Sequence, residues 1–180
     1  MIRLKIHLDI ASDKWKKAFP QMASKIEQAA ACAFLHAKKP AAFNRRAFEI
    51  SIILTDDSNV KTLNKNYRGK NKPTNVLSFP QINLQKFRRT ALDIFPAKSE
   101  VPLGDIVLAF QTIKRESREQ DKALESHIIH LVVHGTLHLL GYDHERLKDA
   151  KAMEKLECDI LGALGYPDPY HEPSTQTSRR

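Results

Sequence analysis

Residues 126–141, SHIIHLVVHGTLHLLG, contain no Asp, Glu, Lys or Arg, and their only polar side chains are histidines and hydroxyls. A stretch of that composition predicts a buried helix, and whatever else the chain forms has to enclose it. The other segments supply the means. Ile2, Leu4, Ile6, Leu8 and Ile10 alternate with Arg3, Lys5, His7 and Asp9, the period of a half-buried strand. Residues 46–55 repeat the pattern with Phe48, Ile50, Ile52 and Leu54 on one side, and PTNVLSFP and LGDIVLAF predict two more strands. Helices are expected over 20–38, opening at Pro20 with Met22, Ile26, Ala29, Ala30 and Ala33 inward, and from a cap at Asp57 or Ser58 to about Tyr67. Three more are expected near 112–119, 122–140 and 146–164.

Strands dominate the first part and helices the last, so the fold class is α+β. The expectation is a single domain over residues 1–170, a small mixed sheet packed against helices, with no internal repeat. A chain of 180 residues with 42% apolar and 28% charged side chains suits such a domain. The connection 81–99 is long for a compact domain and predicts a mobile loop or hairpin. Residues 171–180, ending in EPSTQTSRR, offer almost nothing to bury and are expected to be disordered. Cys32 and Cys158 are the only cysteines, each within an expected helix, which argues against a disulfide framework and for a reducing compartment. The N-terminus alternates too regularly for a signal peptide, and no run approaches membrane-spanning length, so a cytoplasmic protein without membrane contact is expected.

Within the buried helix, His134 and His138 are four residues apart and share a face. Gly141 then sits where a helix stops most easily, and a turn there brings His144 back toward the other two. Three neutral imidazoles suit zinc and leave a fourth tetrahedral position for water or substrate, the arrangement of a catalytic site more than of a structural one. The spacing is zincin-like, matching H-E-x-x-H-x-x-G-x-x-H, except that Gly135 stands where zinc proteases place their general base. Peptide hydrolysis is therefore disfavoured. His127 and His130 are read as packing or supporting residues, and Asp143 as a residue that orients a histidine or caps the turn, with Glu145 a further carboxylate nearby.

A second feature concerns charge. The net charge is +8, and between Ser58 and Leu92 the chain carries Lys61, Lys65, Arg68, Lys70, Lys72, Lys86, Arg88 and Arg89 without one acid. That asymmetry suits a phosphate backbone. Arg68 differs from the lysines because a guanidinium grips two phosphate oxygens as a planar fork. Phe87, between Lys86 and Arg88, has the composition of a base-stacking residue, and equally that of a buried anchor.

In order and rough spacing, NYRGKNKPTNVLSFP, LGDIVLAF, HGTLHLLGYDH and ALGYPDPY resemble the YbeY family of bacterial metal-dependent endoribonucleases, also called rRNA maturation factors. The resemblance covers about residues 48–170. It implies an α+β fold, one Zn2+ per chain held by His134, His138 and His144, and catalytic roles for Arg68 and His134. It further implies single-stranded RNA as substrate, 3′-end maturation of small-subunit (16S) ribosomal RNA, ribosome quality control, and the small ribosomal subunit with its proteins as partner. The attacking group stays open between water, which leaves a phosphomonoester, and the ribose 2′-hydroxyl, which leaves a cyclic phosphate. Two other readings stand beside this one: a ribosome assembly factor with a structural zinc, and a metal-dependent peptidase or amidase.

Overall fold

The alternating N-terminal run forms β1 (Arg3–Ile10), whose residues are by turns exposed and half-buried, as one wet face requires. The computed structural model describes residues 3–18, 21–82, 92, 94–96, 99–144 and 146–171. After β1 come α1 (Asp13–Ala18), α2 (Met22–His36), a short 3-10 turn (Ala41–Arg45), β2 (Ala47–Thr55), α3 (Asp57–Arg68), β3 (Val76–Pro80) and β4 (Glu100–Ala109). The chain continues as α4 (Phe110–Glu119), α5 (Leu124–Leu139) and α6 (Leu147–Ala163). This is the expected α+β architecture with a mixed sheet. Strand order is β1-β2-β4-β3, with β1, β2 and β4 parallel and β3 antiparallel at one edge.

Apart from the outer face of β1, the sheet packs on both sides. Phe48, Ile50, Ile52 and Leu54 of β2 are fully buried in the main core with α2 and α5. On the other face, Ile53, Leu77, Val107 and Phe79 pack with Val60 and Leu63 of α3. Helix α5 is enclosed as its composition demands, packed against α2, α4, α6, β3 and β4. Gly135 lets β4 approach closely, since a Cβ there would lie 2.9 Å from Ile106 Cγ2.

Several boundaries differ from the sequence expectation, each for a local reason. Phe110 opens α4 instead of closing a strand, because Ala109 already donates its N–H to Asn75 O and ends the ladder. Asp56, not Asp57 or Ser58, caps α3 by accepting from Asn59 N at 3.0 Å. Asp57 is engaged elsewhere: its carboxylate accepts from the Thr112 N–H and hydroxyl, both at 2.9 Å, and so supplies α4 with the cap that Ala109 lacks. Of PTNVLSFP only Val76–Pro80 is strand, and the strand expected from Leu103 starts at Glu100. Helix α2 begins at Met22; Pro20 lies outside the described residues. Most of the 81–99 connection lies outside them too, as do residues 172–180. Both cysteines are free, on α2 and α6.

One backbone position is decisive for the sheet. The β2–β4 register slips between Glu49 and Ile50, leaving Leu103 as an extra residue on β4 next to Gly104, whose φ is +140°. A Cβ on Gly104 would sit 2.2 Å from the Phe79 carbonyl oxygen of the paired edge strand. Gly104→Ala is therefore expected to destabilise by on the order of 2–4 kcal/mol, combining backbone strain with a clash that only strand movement relieves. Urea unfolding checks this: the midpoint should fall at constant slope, and an unchanged midpoint would disprove the constraint.

Candidate metal centre

Helix α5 ends as its glycine suggests. Gly141, at φ +85°, donates to His138 O, and Tyr142 donates to Leu137 O, the paired bonds of a left-handed helix end. The chain reverses there and returns His144 to the last turn of α5. Ring centroids lie 4.5 Å apart for His134 and His138, 5.0 Å for His138 and His144, and 5.7 Å for His134 and His144. One nitrogen from each ring falls within 4.8 Å of the others, a group able to hold a metal ion. His144 is exposed while the other two are half-buried, so the cluster opens to solvent on one side.

The hydrogen-bond partners favour one tautomer for each ring. His134 Nδ1 is 2.8 Å from Glu157 Oε1, and His138 Nδ1 is 3.0 Å from the Tyr142 carbonyl oxygen. Both partners only accept, Glu157 being ionised, so each Nδ1 carries a hydrogen, and a ring without a second one presents its lone pair at Nε2. Those two Nε2 atoms face each other at 3.0 Å. Two nitrogens at that separation need a cation between them, either a proton shared as an N–H···N bond or a metal ion held by both. A tetrahedral ion with bonds of about 2.05 Å places its donor atoms roughly 3.3 Å apart, close to what is found. Burial, with the neighbouring His134 and His144, also lowers the His138 pKa to about 4, keeping the ring in its ligating form at neutral pH.

Glu157 is the feature the sequence reading missed. It is the one acidic side chain buried among the described residues, with no exposed surface. Burial alone would raise its pKa; hydrogen bonds from His130 and His134 outweigh this and bring it to about 2. Oε2 accepts from His130 Nε2 at 2.8 Å while Oε1 holds His134. Although His130, His134 and Glu157 also lie close enough to chelate, both rings direct N–H groups at the carboxylate, so the triple supports the centre and offers no second set of lone pairs. His127 pairs with Glu116 at 3.0 Å, and Asp143 caps its turn by accepting from His144 N at 2.7 Å. Glu145 lies outside the described residues.

Arg68 ends α3 on the other side of the edge strand. Its Nη2 donates to Ser78 O at 3.4 Å, and Ser78 Oγ in turn donates to Gly135 O at 3.3 Å, beside His134. One strand thus links the arginine to the histidine helix. Lys61, Lys65, Lys70 and Lys72 are all exposed around it, as is Tyr67, at 70%, its ring edge against Phe79. Lys86, Phe87, Arg88 and Arg89 lie outside the described residues.

The family model for Endoribonuclease YbeY matches residues 9–165. The chain belongs to the YbeY family. Endoribonuclease YbeY of Rhodopseudomonas palustris is 49% identical over 124 residues, spanning 68% of this chain and 68% of that protein. The protein of the same name from Rhodospirillum rubrum is 43% identical over 171 residues, 93% of this chain and 82% of its own. The solution structure of TM1509 from Thermotoga maritima aligns over 97% of this chain and 100% of that one with a TM-score of 0.51 at 22% identity, which speaks for the fold alone. No helix among the described residues is long and apolar enough to cross a membrane.

Proposed function

We propose that this YbeY-family chain is a zinc-dependent endoribonuclease that cuts single-stranded RNA in the cytoplasm. Its substrate is the 3′ end of small-subunit ribosomal RNA on the small ribosomal subunit, during maturation and quality control. The observation that carries the reading is the approach of His134 Nε2 to His138 Nε2 at 3.0 Å with His144 beside them, and the exposed Lys65, Arg68, Lys70 and Lys72 of an acid-free sequence segment lie one strand away. His134, His138 and His144 would hold the ion, which would supply Lewis acidity toward a phosphate oxygen. Arg68 faces solvent with an unsaturated guanidinium fork, suited to grip the scissile phosphate and stabilise the charge that builds on it. Lys61, Lys65, Lys70 and Lys72 extend that positive surface along the strand bound there, and the exposed ring of Tyr67 offers a face for an unpaired base. Gly135, pressed against Ile106, leaves no space for the glutamate of a peptidase.

The surface is tested by RNA affinity as a function of salt. Replacing Lys65, Lys70 and Lys72 together by alanine is expected to weaken binding of a single-stranded oligoribonucleotide and to reduce the log–log salt slope by about 2, at roughly 0.7 per lost phosphate contact. A slope equal to that of the unaltered protein would remove RNA from this face.

A further inference from the structure

The segment after α6 does not trail away from the metal centre; it returns to it. Tyr166 hydroxyl donates to Glu125 Oε1 at 2.8 Å, Lys122 Nζ donates to Pro169 O at 2.7 Å, and Tyr170 N donates to Asp168 Oδ1 at 2.8 Å. The first two contacts dock residues 166–170 against the start of α5 and the turn before it, and the third shapes the segment itself. They deliver the Tyr170 hydroxyl to Glu157 Oε2, to which it donates, and set its ring edge-on to His130 with centroids 5.5 Å apart. Tyr170 is 46% exposed as a residue, yet its hydroxyl reaches a carboxylate that is fully buried.

We propose that Tyr170 is a positioning residue of the metal centre, tying the docked C-terminal segment through Glu157 to the aim of the His134 lone pair. The proposal rests on His134, His138 and His144 being the ligands. A carboxylate turns easily about its last torsion, where the rotational profile is broad. Here Tyr170 and His130 hold Oε2 from one side, which leaves Oε1 facing His134 Nδ1. With Oε1 so placed, the His134 proton stays on Nδ1 and Nε2 points at the ion. Loss of the hydroxyl has two opposing effects. A carboxylate with fewer donors is a stronger acceptor for His134, which favours metal binding; a carboxylate free to turn no longer holds the ring, which disfavours it. Orientation prevails, because the ligand lone pair must be aimed before its basicity counts.

The test is the zinc dissociation constant, measured by competition with a chromophoric chelator, for the unaltered chain, Tyr170→Phe, Glu157→Gln and the double variant. Glu157→Gln places an amide NH2 against an imidazole N–H and should weaken binding about 10- to 100-fold, and Tyr170→Phe, one link further out, about 3- to 10-fold. In the Glu157→Gln background, Tyr170→Phe should add nothing, because the tyrosine acts through the carboxylate. The ring 15N and Nδ1–H signals of His134 in the zinc-loaded protein should move in Tyr170→Phe, a change that general loosening of the fold does not produce. Equal or tighter zinc binding by Tyr170→Phe, or an undiminished effect in the double variant, overturns the proposal while leaving the metal reading intact. Failure of the unaltered chain to take up zinc overturns both.

Discussion

His138→Ala is expected to lose stoichiometric zinc and, with it, RNA cleavage by a factor on the order of 10³ or more, since metal Lewis acidity is worth several kcal/mol at about 1.4 kcal/mol per tenfold. The expectation is sharpest for His138 because this ring is fixed twice. Its Nδ1 is tied to the Tyr142 carbonyl within the reversal at Gly141, and its Nε2 opposes His134. Without the imidazole, only His134 and His144 of the proposed ligand set remain, one of them exposed. Substitution also leaves the Tyr142 carbonyl without that donor, so metal-free melting must be followed in parallel. Zinc content by atomic spectroscopy, together with cleavage of a small-subunit ribosomal RNA precursor, decides the outcome. A folded His138→Ala protein that still carries one zinc and cuts RNA would show that the cluster is not the catalytic centre; one that lacks zinc yet still supports rRNA processing would favour an assembly role.

The three histidines were legible because helix geometry and one glycine determine where they go. Offsets of four and six residues around Gly141 leave the backbone few ways to end α5, and it ends as the sequence implies. Glu157 was not legible in the same way, since α6 carries four acids, Asp149, Glu154, Glu157 and Asp159, and no motif marks one of them out. A usable signal did exist: Met153, Glu157, Ile160 and Leu161 share one buried stripe, and a glutamate on an apolar stripe needs a partner. Which partner, 23 residues away at His134 and 27 at His130, depends on how α5 and α6 cross. Tyr170 is harder still, because its role depends on a loop route held by Lys122 and Glu125.

The fold divides along similar lines. The strands around Ile6 and Ile52 and the interior of α5 follow from period and composition, which act over many residues at once. Short elements escape that averaging. The six-residue α1 exists because Trp15 is buried and donates through Nε1 to Thr55 O at 2.8 Å, a contact across 40 residues. The cap at Asp56 and the loan of Asp57 to α4 likewise depend on a neighbour that local sequence does not identify.

Arg68→Ala is expected to lower the cleavage rate by about 10²- to 10³-fold, the usual cost of removing one preorganised donor to transition-state charge, while zinc content stays at one per chain. The variant is informative because Arg68 does so little for the fold. It is exposed, and its hydrogen bond to Ser78 O, at 3.4 Å, is long, so stability should change by no more than about 0.5 kcal/mol. A guanidinium that contributes little to stability, beside an edge strand whose serine also contacts the histidine helix, is available for a ligand. Arg68→Lys should recover only part of the rate, because an ammonium restores the charge without the planar two-point grip. The measurement is single-turnover cleavage at saturating protein, which separates the chemical step from RNA affinity. If Arg68→Ala cuts as fast as the unaltered chain under those conditions and differs only in affinity, then Arg68 belongs with Lys65 and Lys70 as a backbone contact, and the charge on the phosphate must be met at the metal alone.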